Sequence, residues 1–542
     1  MTRAAEDERT HEYDVVVLGA GPVGENVVDR VRAAGLSAAV VEAELVGGEC
    51  SYWACMPSKS LLRPAIVRSE ARRVPGLRAH AYGPLDAHEV LAHRDSVVGD
   101  WKDDGQVDWV RSTGAQLYRG QGRLYGPRRV TVEGPEGDRH VLTARHAVAV
   151  CTGSRAVLPD LPGLASTRPW TSREATSSPR VPERLVVVGG GVVGVEMATA
   201  WQALGSRVTL LVRGDGLLPR MEPFAGEHVA EALAERGADV RTGAVVSAVV
   251  RDGSTGPVTV VLADGDVVEG DEVLFATGRR PRTEDIGLET VGLEPGSWLA
   301  VDDSLRVEGH DWLYAVGDVN HRALLTHQGK YQARIAGAAI AARAAAGEAD
   351  RADGADGAGG AAGASGAEAG GTAAGAARAG TVVGAGGAED AEGRRRGGRE
   401  GRRRGGRRRM GPYRATADHA AVPQVVFTDP EVAAVGLSLA AAQAAGHRVR
   451  AVDLDMTSVA GAGLYAQGYR GRARMVVDRD REVVLGVTFV GSGVGELLHS
   501  ATVAVAGEVP IARLWHAVPS YPTLSEAWLR LLEAYRDGAG AP

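Results

Sequence analysis

Two glycine-rich turns about 170 residues apart constrain this chain more than any other feature. The first follows the apolar run Tyr13-Asp-Val-Val-Val-Leu-Gly19 and reads Gly19-Ala-Gly21-Pro-Val-Gly24, after which a helical stretch continues to Gly35. The second follows Arg184-Leu-Val-Val-Val-Gly189 and reads Gly189-Gly-Gly191-Val-Val-Gly194, with a helix to Gly205. Each turn thus sits between a buried parallel strand and a helix, and each is followed by a further strand, Ser37–Glu42 and Arg207–Val212. One such turn is a weak signal; two in the same context predict two nucleotide-binding units. The chemistry is common to both. Glycines let the backbone approach a pyrophosphate, and the helix N-terminus supplies free N–H groups and a positive dipole end.

The 542 residues are 44% hydrophobic and 24% charged, which excludes a collagenous or wholly disordered chain and is ample for three or four domains. From Ala341 to Arg409 the pattern collapses into Ala, Gly, Asp, Glu and finally Arg, with only Val382 and Val383 as large apolar groups. Such a stretch lacks the apolar surface needed to fold. Its end, Ala391 to Met410, holds ten arginines and two glutamates. With a net charge of −7 overall and +8 in that stretch, everything else sums to −15, which argues against nucleic-acid binding by the folded part. Patterned sequence resumes at Val422-Pro-Gln-Val-Val-Phe427 and runs to a last helix at Leu524–Arg536. The expected organisation is a charged, disordered 1–12; a first nucleotide-binding domain 13–165; a second 166–297; a return to the first over 298–340; a linker 341–415; and a C-terminal α+β domain 416–536. No apolar run reaches the length of a membrane span, and no secretory signal is visible at the start, so the expected compartment is the cytoplasm.

Three cysteines cannot build a disulfide framework, so each is judged as a chemical group. Two of them lie in Gly47-Gly48-Glu-Cys50-Ser-Tyr-Trp-Ala-Cys55-Met-Pro57-Ser-Lys59. Five residues of regular helix would separate them by roughly 7.5 Å of rise, so a bridge requires a local distortion. The alternatives are a catalytic disulfide and two unrelated thiols. The adjoining nucleotide-binding turn and the Pro-Ser-Lys that follows favour the first. Only three of the 61 basic residues are lysines (Lys59, Lys102 and Lys330), which makes Lys59 within a motif more telling than a solvated charge.

With these motifs the chain resembles the class I pyridine nucleotide-disulfide oxidoreductases, which include dihydrolipoyl dehydrogenase, glutathione reductase and mercuric reductase. The resemblance implies an α/β fold with two Rossmann-like domains, for FAD and NAD(P), and a C-terminal α+β domain that forms a homodimer. It assigns Gly19, Gly21, Gly24 and Glu42 to the FAD adenosine site, with the Glu42 carboxylate accepting from ribose hydroxyls. Gly153 and Gly278 fall in the two linking strands, and Asp318 is placed on the ribityl chain. Cys50 becomes the thiol that meets substrate and Cys55 the thiol against the flavin. Glu196 pairs with Lys59, where the bland alternative is a helix-solubilising carboxylate. Gly189, Gly191 and Gly194 hold the nicotinamide dinucleotide. Arg213 stands where Glu42 stands in the first unit; it either faces solvent or pairs with a 2′-phosphate, and the second reading favours NADP, with NAD possible.

The C-terminal signature departs from the family. The matching run is Ser520-Tyr521-Pro522-Thr523-Leu-Ser-Glu526, which retains the glutamate but puts Tyr521 at the histidine position. A phenol, with a pKa about 10, is a poor proton acceptor near neutrality, whereas imidazole at about 6.5 is well placed. His516 lies too early and reads as structural; Cys151 reads as inert packing in a buried strand; Tyr52 and Trp53 read as bulk at the dithiol entrance. The expected enzyme is therefore an FAD-dependent NADPH oxidoreductase with Tyr521 and Glu526 in its site, no metal site, and weak lipoamide or glutathione turnover. Its electrons would pass to a small-molecule acceptor: a quinone, dye, oxygen or metal ion. A dihydrolipoyl dehydrogenase-like disulfide reductase is the alternative. Mercuric reductase is disfavoured, since the tail 538–542 has no cysteine pair and no N-terminal metal-binding domain is present. The alternative of another class is an anionic-partner or nucleic-acid binder acting through the arginine-rich insertion, which lacks aromatic stacking groups.

Overall fold

The computed structural model describes residues 9–358 and 413–538. The strand leading to the first glycine turn, β1 (Arg9–Leu18), runs parallel to β2 (Ala38–Glu42), and α1 (Pro22–Ala33) crosses between them. The two valine-rich runs are almost fully buried because the sheet is covered on both faces. A short helix, α2 (Gly48–Tyr52), and a long one, α3 (Cys55–Arg72), follow β2. The sheet is completed by β3 (Gln116–Arg119), β4 (Gln121–Leu124), β5 (Arg129–Glu133) and β6 (Arg139–Val150) in the order β3-β2-β1-β6-β5-β4. The strand Leu313–Ala315 returns to this sheet and pairs in parallel with β6.

The second unit repeats the plan with a four-stranded parallel sheet, in the order Asp239–Thr242, Arg207–Val212, Arg184–Val188, Glu272–Phe275. Helix Val192–Ala203 follows its glycine turn. A five-stranded antiparallel sheet, Pro423–Val426, Glu431–Gly436, Val483–Gly491, Arg472–Asp478 and Val449–Asp455, forms the C-terminal domain. Helix α3 binds these parts together. Its Leu61, Leu62 and Ile66 share one core with Val195 and Trp201 of the second unit and with Val426, Val432 and Val490. Among the described residues no helix is long and apolar enough to cross a membrane.

Three expected boundaries are corrected. The strand starts at Arg9 rather than Tyr13, because Arg9–Tyr13 pair with His140–Ala144 of β6 despite their charge. The expected linker begins as helix: the span Thr326–Ala358 continues well past Ala341, and alanine, the strongest helix former, supplies the reason. At its far end Tyr413–Ala415 belong with the folded chain; Ala415 is fully buried and donates its N–H to Asp303 O at 2.8 Å. The rest of the stretch, including its arginine blocks, lies outside the described residues.

The two turns are built alike atom by atom. A Cβ on Gly24 would lie 1.9 Å from Gly19 O, and a Cβ on Gly194 would lie 1.9 Å from Gly189 O. Nothing larger than glycine lets the helix start this close to the strand end. Gly194→Ala is expected to lower stability by about 1–3 kcal/mol through this overlap. Gly214→Ala, with open space around its Cβ, is expected to leave the thermal midpoint in place. Equal melting curves for the two variants by circular dichroism would refute the close-approach argument.

Candidate active site

A cavity of about 370 Å³ opens at the C-terminal ends of β1 and β2, bounded by Gly19, Gly21, Glu42, Cys50, Gly153 and Asp318 among others. Glu42 ends β2 and is held by two backbone donors: the N–H of Ala20 at 2.7 Å and of Glu44 at 2.8 Å. Burial pushes its carboxyl pKa up, partly offset by those two bonds. Asp318 accepts from the Ser154 hydroxyl at 2.5 Å, and burial pushes its pKa up as well. Arg279 in turn donates to Ser154 Oγ at 2.7 Å.

Sequence reading missed an ionic lattice on the cavity wall. Arg173 donates to Glu49 Oε1 at 2.6 Å and to Glu44 Oε2 at 2.6 Å, and Arg282 donates to the same Glu49 oxygen at 2.8 Å. These partners come from distant segments, so no local spacing announces them. Two buried polar atoms lining this cavity, Thr152 Oγ1 and Arg282 Nε, have no partner among the described residues. A glycine cradle, a ribose-type carboxylate and unspent donors fit an adenine dinucleotide such as FAD.

The dithiol forms where the helix breaks. Helix α2 ends at Tyr52, Trp53 and Ala54 leave helical geometry (Ala54 φ −134°, ψ −95°), and α3 restarts at Cys55. The break brings the thiols of Cys50 and Cys55 into hydrogen-bond contact as free thiols. Thr326 Oγ1 lies 3.3 Å from Cys55 Sγ. The two sulfurs polarise in opposite senses. The Cys50 hydrogen bond, then Thr326 and the Lys59 charge, lower the Cys55 pKa against burial; the Cys55 contact and burial raise that of Cys50. The surroundings thus favour ionisation at Cys55 over Cys50.

Lys59, one turn into α3, donates to Glu196 Oε2 at 2.7 Å. The Glu196 side chain is 4% exposed, and its other oxygen accepts the Phe427 N–H at 3.0 Å. The Lys59 ammonium also lies 4.8 Å from the centroid of the Phe427 ring. Phe427 was legible only as part of a strand, since its contribution is a backbone donor.

Other sequence candidates fall elsewhere. Gly189, Gly191 and Gly194 form the second turn, with Gly189 at φ 121° and Gly278, on a neighbouring linker, at φ 144°. Arg213 follows the strand Arg207–Val212, is exposed, and makes no ion pair among the described residues. Tyr521 is 75% exposed. Glu526 is buried, but its Oε1 accepts from Arg530 at 2.7 Å rather than from Tyr521, and its Oε2 is unpartnered among the described residues. Neither residue hydrogen-bonds Cys50, Cys55 or Lys59 within the described chain.

Two expectations about packing are corrected. Tyr52 does not guard the dithiol: it is 2% exposed and donates inward to Val46 O at 3.0 Å. Trp53 is instead capped by the Arg173 guanidinium, 4.1 Å from its ring centroid. His516, expected to be structural, is exposed. Cys151 is buried, and burial alone raises its pKa.

Comparison with known proteins follows this geometry. The pyridine nucleotide-disulphide oxidoreductase family matches residues 13–345, and the dimerisation domain of the same family matches residues 422–532. A dihydrolipoyl dehydrogenase of Thermus scotoductus is 29% identical over 533 residues, covering 97% of this chain and 98% of its own. A mercuric reductase of Streptomyces lividans is 28% identical over 526 residues, covering 95% and 94%. Among solved structures, the Cu(II) complex of the HOCl-induced flavoprotein disulfide reductase RclA from Escherichia coli superposes with a TM-score of 0.73 at 20% identity, over 96% of this chain and 99% of that one. LpdA from Mycobacterium tuberculosis gives 0.72 at 24%, over 97% and 99%. These two show the shared fold.

The thiol–thiolate asymmetry is directly measurable. In the reduced protein, alkylation by iodoacetamide with peptide mass mapping is expected to modify Cys55 with a midpoint below the ordinary thiol value of about 8.5. Lys59→Met is expected to move that midpoint upward, because it removes a positive charge that favours the thiolate. A midpoint unmoved by the substitution would refute the electrostatic coupling.

Proposed function

The chain belongs to the pyridine nucleotide-disulphide oxidoreductase family, and from that membership we propose that it carries electrons from NADPH through a Cys50–Cys55 pair to a small acceptor that needs no imidazole relay. In coarser terms it is an FAD-dependent pyridine nucleotide-disulfide oxidoreductase that uses NAD(P)(H) and carries a dimerisation domain. The observation that carries the finer proposal is the thiol–thiolate pair. Cys50 lines the cavity, and the charge of Lys59, paired with the buried Glu196, acts on Cys55.

FAD, when bound, supplies the exchange between a hydride and an electron pair. The chain's own residues do the rest. Gly19, Gly21 and Gly24 admit the pyrophosphate to the N-terminus of α1, Glu42 receives ribose hydroxyls, and Asp318 with Ser154 offers a polar anchor for the ribityl chain. Gly189, Gly191 and Gly194 do the same for the nicotinamide dinucleotide, with Arg213 free to meet a 2′-phosphate. Lys59, fixed by Glu196, places a cation behind the cysteine pair. Cys55 holds negative charge near Lys59 and Thr326, and Cys50 holds the proton and faces the acceptor.

The acceptor class follows from the C-terminal segment. A disulfide acceptor leaves as a thiolate that must be protonated, and Tyr521 is an exposed phenol with no bond to Glu526 among the described residues. A metal ion or one-electron dye takes electrons without a proton, and a quinone or oxygen can draw its protons from water rather than from a base on the chain. The similarity to a dihydrolipoyl dehydrogenase supports the disulfide alternative, which the same assay decides.

Anaerobic titration of the holoenzyme is expected to show reduction by NADPH in preference to NADH, with Arg213→Glu reversing the preference by tenfold or more, about 1.4 kcal/mol. In steady state the wild type is expected to reduce menadione faster than lipoamide, and Tyr521→His to raise lipoamide turnover. Rapid lipoamide reduction by the wild type would overturn the acceptor reading, and a tenfold preference for NADH the Arg213 reading.

A further inference from the structure

A helix propagates more cheaply than it nucleates, so α2 and α3, parted only by Trp53 and Ala54, tend to fuse. Fused, they would separate Cys50 and Cys55 by about 7.5 Å along the axis, more than the roughly 7 Å between Cα atoms that a disulfide tolerates. Contact between the two thiols therefore depends on whatever holds Trp53 (φ −136°, ψ 2°) and Ala54 (φ −134°, ψ −95°) out of helical geometry. Part of the restraint is local, since Ser58 Oγ donates to Ala54 O at 2.6 Å. The rest comes from more than a hundred residues further along the chain.

The helix Ser172–Ser177, started by a capping box between Thr171 and Glu174, grips both ends of the broken loop. Its Arg173 donates through Nε to Glu49 Oε1 at 2.6 Å, and Glu49 directly precedes Cys50. Nη2 and Nη1 of the same guanidinium donate to Glu44 at 2.6 and 3.2 Å. With those donors in use, the guanidinium still lies 4.1 Å from the centroid of the Trp53 ring, two residues before Cys55. One turn on, Thr176 Oγ1 lies 2.9 Å from Trp53 O, with Ser172 O of its own helix a competing acceptor at 3.0 Å. The helix itself is anchored in the second unit. Trp170, just before it, donates its N–H to Val273 O at 2.8 Å and accepts from Phe275 at 2.9 Å. Ala175 is fully buried in the core that holds Val195 and Trp201, and Trp201 Nε1 donates to its carbonyl at 3.2 Å. The unit that carries the second glycine turn thus supplies the support against which the loop between the cysteines is bent. Arginine suits this task because one planar group bonds two carboxylates and stacks on a ring, which an ammonium does not do.

We propose that Arg173 is a positioning residue for the dithiol: by holding Glu49 and Trp53 together it maintains the break between α2 and α3, and so sets how readily Cys50 and Cys55 close to a disulfide. The inference rests on the reading of this pair as the electron path. Arg173 acts through Trp53 and Glu49. A disulfide gains over the dithiol in proportion to the effective concentration of one thiol at the other. Releasing the loop lowers that concentration and leaves the dithiol favoured.

The test equilibrates the FAD-loaded enzyme anaerobically with mixtures of reduced and oxidised dithiothreitol, then traps the thiols by alkylation and reads the Cys50–Cys55 disulfide by peptide mass mapping. Dithiothreitol gives two electrons and two protons to the disulfide, whose S–S bond breaks to two thiols, and itself closes to a cyclic disulfide. Arg173→Met is expected to shift this equilibrium toward the dithiol by about tenfold or more, which is about 30 mV for a two-electron couple. Arg173→Lys is expected to recover part of the shift, and Trp53→Leu to reproduce it. Because both variants release the same clamp, the double variant is expected to shift no further than the larger single one. A wild-type equilibrium in Arg173→Met overturns the proposal, and so does a double variant in which the two shifts add. Flavin absorbance per protein checks the loading. Should Arg173→Met lose its flavin, Trp53→Leu decides, since Trp53 is not part of the cavity wall; a wild-type equilibrium there overturns the clamp. Failure of the underlying reading shows elsewhere: Cys50→Ser with full NADPH–menadione turnover overturns the electron path.

Discussion

Three segments far apart in the chain meet at one carboxylate. Glu196, on the helix after the second glycine turn, is almost wholly buried, and both its oxygens are used: one by the Lys59 ammonium, the other by the Phe427 N–H. A buried carboxylate with an unmet oxygen costs several kcal/mol, so its two partners are obligatory rather than incidental. Satisfying it fixes α3, and with α3 the cysteine pair, against both the second unit and the C-terminal sheet. The core formed by Leu61, Leu62 and Ile66 with Val195, Val426 and Val490 surrounds the same junction with apolar surface. Lys59 therefore has its position determined from three sides, which a cation used in electrostatic catalysis requires.

The break between α2 and α3 does the remaining chemical work. Had the helix run on, Cys50 and Cys55 would be a turn and a half apart. Because Trp53 and Ala54 leave helical geometry, the thiols touch, and the site then treats them unequally. Thr326 acts on both sulfurs, the Lys59 charge acts on Cys55 and the Lys330 charge on Cys50, and Cys50 lines the cavity. Trp53, held under the Arg173 guanidinium, ties the break to the Glu44–Glu49–Arg282 lattice on the cavity wall. The cysteine pair and the cavity wall are thus joined through a cation–π contact and an ion-pair lattice.

What was legible in the sequence was short-range. The glycine turns announce themselves because strand, turn and helix are contiguous, and the cysteine spacing does so because it conflicts with a regular helix. What was hidden depends on partners brought in from elsewhere. Phe427 contributes a backbone N–H, which no side-chain motif reveals. Arg173 and Arg282 look like two more arginines in an arginine-rich chain until Glu44 and Glu49 are seen between them. Arg9–Tyr13 read as a charged tail because their strand character comes from pairing with β6, not from composition. Tyr52 read as an obstacle at the dithiol because sequence does not say which way a residue at the end of a five-residue helix turns; it turns into the core. The alanine-rich stretch after Ala341 read as structureless because lack of apolar surface was weighed above helix propensity, and as far as Ala358 propensity wins.

The C-terminal signature shows why proton handling is the open chemical question at this site. Glu526 keeps its place, yet in the absence of an imidazole it spends one oxygen on Arg530, its neighbour one turn along the helix, and leaves the other unpartnered among the described residues. Oxidation of a thiol–thiolate pair still liberates one proton per turnover, whichever acceptor takes the electrons. A phenol cannot take that proton at neutral pH, and water alone takes it only if the sulfur is open to solvent, whereas Cys50 is half-buried.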